Sequence, residues 1–322
     1  MNIAKLAFNM LIFPGGLFAL VSSLLLMGID RKIYARLQRR VGPPIYQPFI
    51  DVIKLLQKEI LVPRSANYIV FRLAPLLGFI GMLVAVVLIP ISGVYPGIDK
   101  SADLLVLLYL LATPALAIMV GASASGSPYS AVGLSREMMI TLAYEIPLLI
   151  VLLTIGMKTG MAAGNFADFS LSHIVTFQQQ KGSLIFDITM LPAILAYLCC
   201  IPGTIGVIPF DIPEAETEIA EGTLLEYSGS GLAMFKLTGG LKVTVISALA
   251  VALFFPSTLG GFWIVNLLWF ILKCTILATI SITVVRATRA RMRMDQAFKF
   301  YLIFPTGLAL VSLILTLLSG KF

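Results

Sequence analysis

Apolar runs of about 20 residues recur along the whole of this 322-residue chain. Wound as a helix, such a run crosses the roughly 30 Å hydrocarbon core of a bilayer. Lipid offers no partners to backbone N–H and C=O groups, so each run must satisfy its own. The expected fold is therefore all-α: a polytopic membrane protein with eight transmembrane helices, all in one integral domain over 1–322. The runs fall at about 10–29, 70–89, 103–121, 137–156, 186–206, 233–255, 262–285 and 299–318. With 59% hydrophobic and 12% charged residues, the composition excludes a soluble globular domain. The first run is long enough to span and little basic charge precedes it, so no cleavable signal peptide is expected.

Several chemistries are excluded within this chain. Cys199, Cys200 and Cys274 all lie in predicted spans, at spacings that suit neither an iron–sulfur cluster nor a structural zinc. The single histidine, His173, rules out a bis-histidine haem. No phosphate-binding glycine loop or dinucleotide fingerprint is present. No metal, cofactor or catalytic centre is expected here, and any redox group must belong to a partner.

The net charge of +7 is mostly a topological signal, not a sign of nucleic-acid binding. With the amino terminus outside, the inner loops and inner span ends hold fourteen Lys and Arg, against five on the outer side. The positive-inside rule then puts both termini outside a cell membrane and the odd-numbered connections between spans inside. Inside lies a basic loop over 30–69, which contains an amphipathic segment at 49–60. There Ile50, Ile53, Leu56 and Ile60 alternate with Lys54, Gln57 and Lys58, as in a helix lying in the bilayer interface or packed on a partner. The 157–185 segment, on the outer side, suggests no chemistry.

Also inside lies an acidic loop over 207–233. It carries Asp211, Glu214, Glu216, Glu218, Glu221 and Glu226, with no base between them. Asp211 and Glu214 read as a capping box with Pro213 in the first turn. Glu214, Glu218 and Glu221 would then share one helical face, where like charges raise pKa values. Within the spans, Glu145 stands mid-helix before Pro147, and Glu137 lies two turns earlier beside Arg136. Intramembrane carboxylates are costly and usually functional. Lys236, Lys242 and Lys273 also fall in spans. Lys236 divides evenly between function and snorkelling, and the other two can snorkel.

Three local motifs stand in order. They are Arg31-Lys…Leu37-Gln-Arg-Arg-x-Gly-Pro43 with Gln47-Pro-Phe-x-Asp51-x-x-Lys54; Arg136-x-x-x-x-Thr-x-x-Tyr-Glu145; and Pro209-Phe-Asp…Glu214-Ala-Glu-x-Glu218…Gly222…Glu226-Tyr227. Together they resemble the H subunit of respiratory complex I and its relatives in energy-converting membrane-bound [NiFe] hydrogenases and archaeal sulfur-reducing complexes. The resemblance covers essentially the whole chain. It departs from quinone-reducing complex I at Thr204 and Val207, where that branch usually has Glu and Arg. It departs again near Gly239, where the branch has an intramembrane glutamate, and in the short link Pro44-Ile45-Tyr46.

The resemblance implies a membrane-anchor and coupling subunit without its own redox centre. Arg31, Arg36, Arg39, Arg40, Gln47, Asp51 and Lys54 would dock peripheral hydrogenase-like and iron–sulfur subunits, whose clusters and [NiFe]-type site would carry the electrons. The acidic loop, Glu137, Glu145 and Lys236 would pass the resulting change to antiporter-like membrane subunits that move protons or sodium. A quinone-binding member of the complex I branch and a purely structural scaffold stand as alternatives. A stand-alone transporter is disfavoured because no inverted repeat is visible.

Overall fold

The computed structural model describes residues 3–98, 103–162 and 164–319. Its helices run α1 (Ile3–Leu11), α2 (Gly16–Leu37), α3 (Gln47–Leu56), α4 (Tyr68–Leu88), α5 (Leu104–Ser125), α6 (Pro128–Ala162) and α7 (Leu171–Lys181). Then follow α8 (Leu191–Ile205), α9 (Glu216–Ile219), α10 (Gly229–Phe254), α11 (Trp263–Ala278), α12 (Val285–Thr288) and α13 (Met294–Ser319). Among the described residues, eight helical segments are long and apolar enough to cross a bilayer, as expected, and no β-strand forms.

Capping residues set several of the ends. The Asn67 side chain accepts a 3.5 Å hydrogen bond from the Val70 N–H at the start of α4, and Asp103 takes the Leu105 N–H at the start of α5. Gly126, at φ 68°, ends α5 in the left-handed region that glycine tolerates. Pro128 then opens α6 at once. At 35 residues α6 is about 52 Å long, far more than a bilayer core requires. The span expected at 137–156 therefore starts nine residues early, and Arg136 and Glu137 lie within a continuous helix. The basic loop is corrected likewise: Arg31, Lys32 and Arg36 ride on α2, which runs on to Leu37.

The axis of the bundle is α10, 83% buried over its most apolar window and flanked by α2, α4, α5, α8 and α11. Close helix approach relies on small residues. A Cβ on Gly78 of α4 would stand 2.9 Å from the Ala117 methyl of α5. The amphipathic α3 packs on α2 and α10 through buried Pro48 and Val52. Its Ile50, Ile53 and Leu56 are exposed, which suits a helix whose apolar stripe meets lipid.

The two ends of α10 differ. Its last turn is closed by side chains from other elements. Gln178 of α7 donates to the Ala252 and Leu253 carbonyls, and Lys273 of α11 donates to the Phe255 and Ser257 carbonyls. The 157–185 segment thus supplies a cap for the central helix. At the opposite end, the first half of α10 faces a cavity.

Candidate functional site

This cavity of about 520 Å³ lies between α2, the end of α8, the 206–228 loop, α6 and the first half of α10. Glu137, Asp211, Glu214, Glu221, Lys236 and Lys242 all line it, joined from α2 and α12 by Asp30, Arg31 and Arg286. Charges that the sequence scatters over 250 residues thus share one space.

Lys242 stands in its wall. It is only 6% exposed, lines the cavity and forms no ion pair at contact distance among the described residues. Glu137, Glu214 and Glu145 all lie within electrostatic reach of it. Its helical position, thirteen residues beyond Gly229, is about 20 Å from the start of α10. That is too deep to snorkel, which corrects the expectation that Lys242 could do so.

The acidic loop is pinned rather than helical. Arg291 bonds Asp211 at 2.8 Å, Arg136 bonds Glu218 at 2.5 Å, and the Met292 N–H donates to the Pro209 carbonyl. Ser130 donates to the Gly222 carbonyl, and a Cβ on Gly133 would stand 2.8 Å from the Thr223 nitrogen, so the loop backbone lies flat on α6. The expected capping box and shared carboxylate face do not form. The only α-helix among the described residues of the loop is Glu216–Ile219, because Asp211 is claimed by a tertiary arginine and Glu221 adopts φ 65°. Glu214 and Glu221 turn into the cavity, while Glu218 turns away to Arg136. Glu226 neither lines the cavity nor forms an ion pair among the described residues. The side chain of Glu216 lies outside the described residues.

Burial first, then the charges of Glu137, Asp211 and Glu221, push Glu214 up to about 8, against the opposing pull of Lys242. Glu214 is therefore a proton-holding group near neutral pH. No group of three or more His, Cys, Asp or Glu converges as a metal cage among the described residues. The carboxylates are spread round the wall, an arrangement that suits proton or charge exchange.

Glu145 does not line the cavity. It is half-buried, between the buried Tyr144 and the exposed Ile146 of α6. The hydroxyls of Thr141 and Tyr144, in the same stretch, are buried and find no well-formed hydrogen bond among the described residues. That uncommon condition marks this turn as polar ground inside the bundle. Lys236 is exposed at the cavity rim. Thr204, Val207 and Gly239, the positions without charge, stand in the cavity wall.

The expected docking set divides in two. Arg31 bonds Asp51 at 2.8 Å and Gln47 bonds the same carboxylate at 3.0 Å, stapling α2 to α3. Burial alone would raise Asp51, but the hydrogen bonds from Arg31 and Gln47 and the Arg31 charge hold it below its ordinary value. Arg36, Arg39, Arg40 and Lys54 are exposed. Not foreseen was Asp30, held by the Thr283 hydroxyl at 2.6 Å and Arg286 at 3.5 Å. Thr283 lies in a π-helical stretch, Thr279–Val284, a distortion frequent at functional sites.

Comparison with known proteins gives this site its setting. A family model described as NADH dehydrogenase matches residues 10–317. The H subunit of the NADH-quinone oxidoreductase of Dehalococcoides mccartyi is 33% identical over 305 residues, covering 93% of this chain and 83% of that one. Hydrogenase-4 component C of Escherichia coli is 34% identical over 249 residues, covering 74% and 75%. A chain in the structure of the membrane-bound sulfane sulfur reductase, an archaeal respiratory membrane complex, superposes with a TM-score of 0.83 at 29% identity, covering 93% of this chain and 96% of that one. With its eight spans, and with the match running almost from end to end, this chain belongs to the NADH dehydrogenase family, as a membrane subunit of a complex I-like complex.

Proposed function

We propose that this subunit anchors a peripheral redox arm and converts its electron transfer into ion movement. The observation that carries the reading is the cavity. It joins the loop carboxylates Asp211, Glu214 and Glu221 to the span residues Glu137 and Lys242 in one space. A redox change at the loop would alter a field that Lys242 already shares with Glu137, Glu145 and Glu214. The exposed Arg36, Arg39, Arg40 and Lys54 would dock the arm, and the Arg31–Asp51 staple would hold that surface in shape. The iron–sulfur clusters and a [NiFe]-type site would lie in the docked subunits, and antiporter-like membrane subunits would carry the proton or sodium ion. The uncharged wall at Thr204, Val207 and Gly239 favours an acceptor other than quinone.

The test is Glu145→Gln in the whole complex, reconstituted in vesicles. A mid-span carboxylate costs roughly 3 kcal/mol to insert, so the amide assembles at least as well. Pumping then falls on the order of a hundredfold, since an amide cannot exchange a proton or carry a charge. Normal pumping by the assembled variant would remove the coupling role and leave a scaffold. Quinone-site inhibitors leave turnover of the wild-type complex unchanged.

The reading also places the acidic loop in the cytoplasm and the termini outside. In intact cells, a cysteine at Lys181 takes up an impermeant label and one at Arg291 does not. The reverse pattern would overturn the docking surface.

A further inference from the structure

A second groove, of about 310 Å³, lies between α4 and the start of α10, with Phe71, Arg72, Pro75, Tyr227, Ser230 and Met234 among its walls. It is separate from the charged cavity, and its occupant does not depend on the coupling reading. Its floor is rigid: Phe71 and Tyr227 stack at 4.1 Å with both rings buried, and the Tyr227 hydroxyl donates to the Phe71 carbonyl at 3.0 Å. Its mouth adjoins Ile69, Leu73, Leu77 and Ile80, an exposed stripe along one face of a spanning helix. In a membrane that stripe is covered by acyl chains.

Arg72 stands at the polar end, in the second turn of α4. One of its N–H groups donates to the Tyr68 hydroxyl, and the guanidinium lies 5.2 Å from that ring centre. Arg31, Arg136, Arg286 and Arg291 each hold a carboxylate of this chain, whereas Arg72 holds none among the described residues. Most of its planar fork is therefore open to an outside acceptor, and a phosphate fits that fork with two parallel hydrogen bonds.

We propose that this groove holds one anionic phospholipid, its phosphate on Arg72 and an acyl chain against Pro75, Leu76 and Met234. Basic pockets between spanning helices at a charged membrane face are suited to such headgroups. A free anion would use Arg72 but gain nothing from the apolar walls. A lipid uses both, and its second chain continues along the stripe of α4.

The experiment takes the intact complex through detergent washing into nanodiscs of either phosphatidylglycerol or phosphatidylcholine, with retained lipid counted by native mass spectrometry. Wild-type complex keeps one phosphatidylglycerol per copy of this subunit and releases phosphatidylcholine. Arg72→Gln lowers retention about tenfold, the scale of one lost charge-assisted contact. Met234→Trp, which fills the groove and keeps the cation, lowers it too and decides the matter if Arg72→Gln fails to assemble. Inorganic phosphate does not displace the lipid. Unchanged retention in an assembled variant, equal retention of phosphatidylcholine, or displacement by phosphate would each overturn the proposal.

Discussion

Lys242 and Lys273 are both 6% exposed and both lie in spanning helices, yet the protein treats them oppositely. Lys273 directs its hydrogen bonds to the carbonyls of Phe255 and Ser257, at 3.0 and 2.9 Å, with its ammonium 5.7 and 5.8 Å from the ring centres of Phe255 and Trp269. Those partners are fixed and neutral, so Lys273 closes one end of α10. Lys242 has carboxylates in reach instead, across a cavity, and none in contact among the described residues. Equal burial therefore says nothing about role. What separates the two is whether the charge is already satisfied or left to respond to its surroundings.

Substituting methionine at each position should break the comparison most sharply. Lys242→Met leaves Glu137, Glu145 and Glu214 without their shared cation. The complex should still assemble while pumping is lost. Lys273→Met removes two charge-assisted hydrogen bonds of roughly 1.5–3 kcal/mol each and strands two carbonyls. Its melting temperature falls, but pumping per assembled complex does not change. Native gels, thermal melts and vesicle pumping on the same preparations separate the outcomes. A Lys242→Met complex that pumps normally, or a Lys273→Met complex that is stable but silent, would reverse the two assignments.

A smaller effect is expected on the carboxylate side. Glu214 holds its proton in the folded state up to about pH 8, whereas an exposed glutamate releases it near the ordinary value of 4.5. Between those values the folded state binds the extra proton, so stability falls as pH rises and levels off above about 8. The slope is at most about 1.4 kcal/mol per pH unit, and less because the cavity is open to water. Glu214→Gln should flatten this limb of the stability curve, and the matching alkaline limb of pumping should go with it. A limb near pH 8 that survives in the glutamine variant belongs to another group.

Much of this was legible in the residues themselves. Eight spans, the acidic loop and the polar turn at Glu145 follow from apolar run length and from the cost of intramembrane charge. The local form of the acidic loop did not follow. Asp211 followed by Glu214 is a sound capping signal, and it lost to Arg291, which lies 80 positions later in the chain and claims Asp211 at 2.8 Å. Lys242 was missed for a related reason. Sequence shows a lysine in a span, but whether its ammonium reaches solvent, a carbonyl or a shared cavity depends on how α2, α6 and α10 converge. Asp30 carries no local mark at all, since its partners Thr283 and Arg286 come from a π-helical stretch and the short helix after it, which no periodicity announces.

Lys236 supplies the third and weakest case. It is exposed at the cavity rim, six residues before Lys242, and the field it exerts is felt at Asp51 across the α3 interface. Water and salt surround it, so its charge reaches the interior only through a screened path, with a Debye length of about 8 Å at physiological ionic strength. Lys236→Gln should therefore change pumping by no more than about twofold, the scale of a surface charge worth a few tenths of a kcal/mol. The change should shrink further as salt is raised, whereas the loss in Lys242→Met should not respond to salt. Measuring both variants across a salt series distinguishes a rim charge that tunes the local field from a buried charge in the cavity wall. A large, salt-independent loss in Lys236→Gln would mean that the working cation sits at the mouth rather than at Lys242.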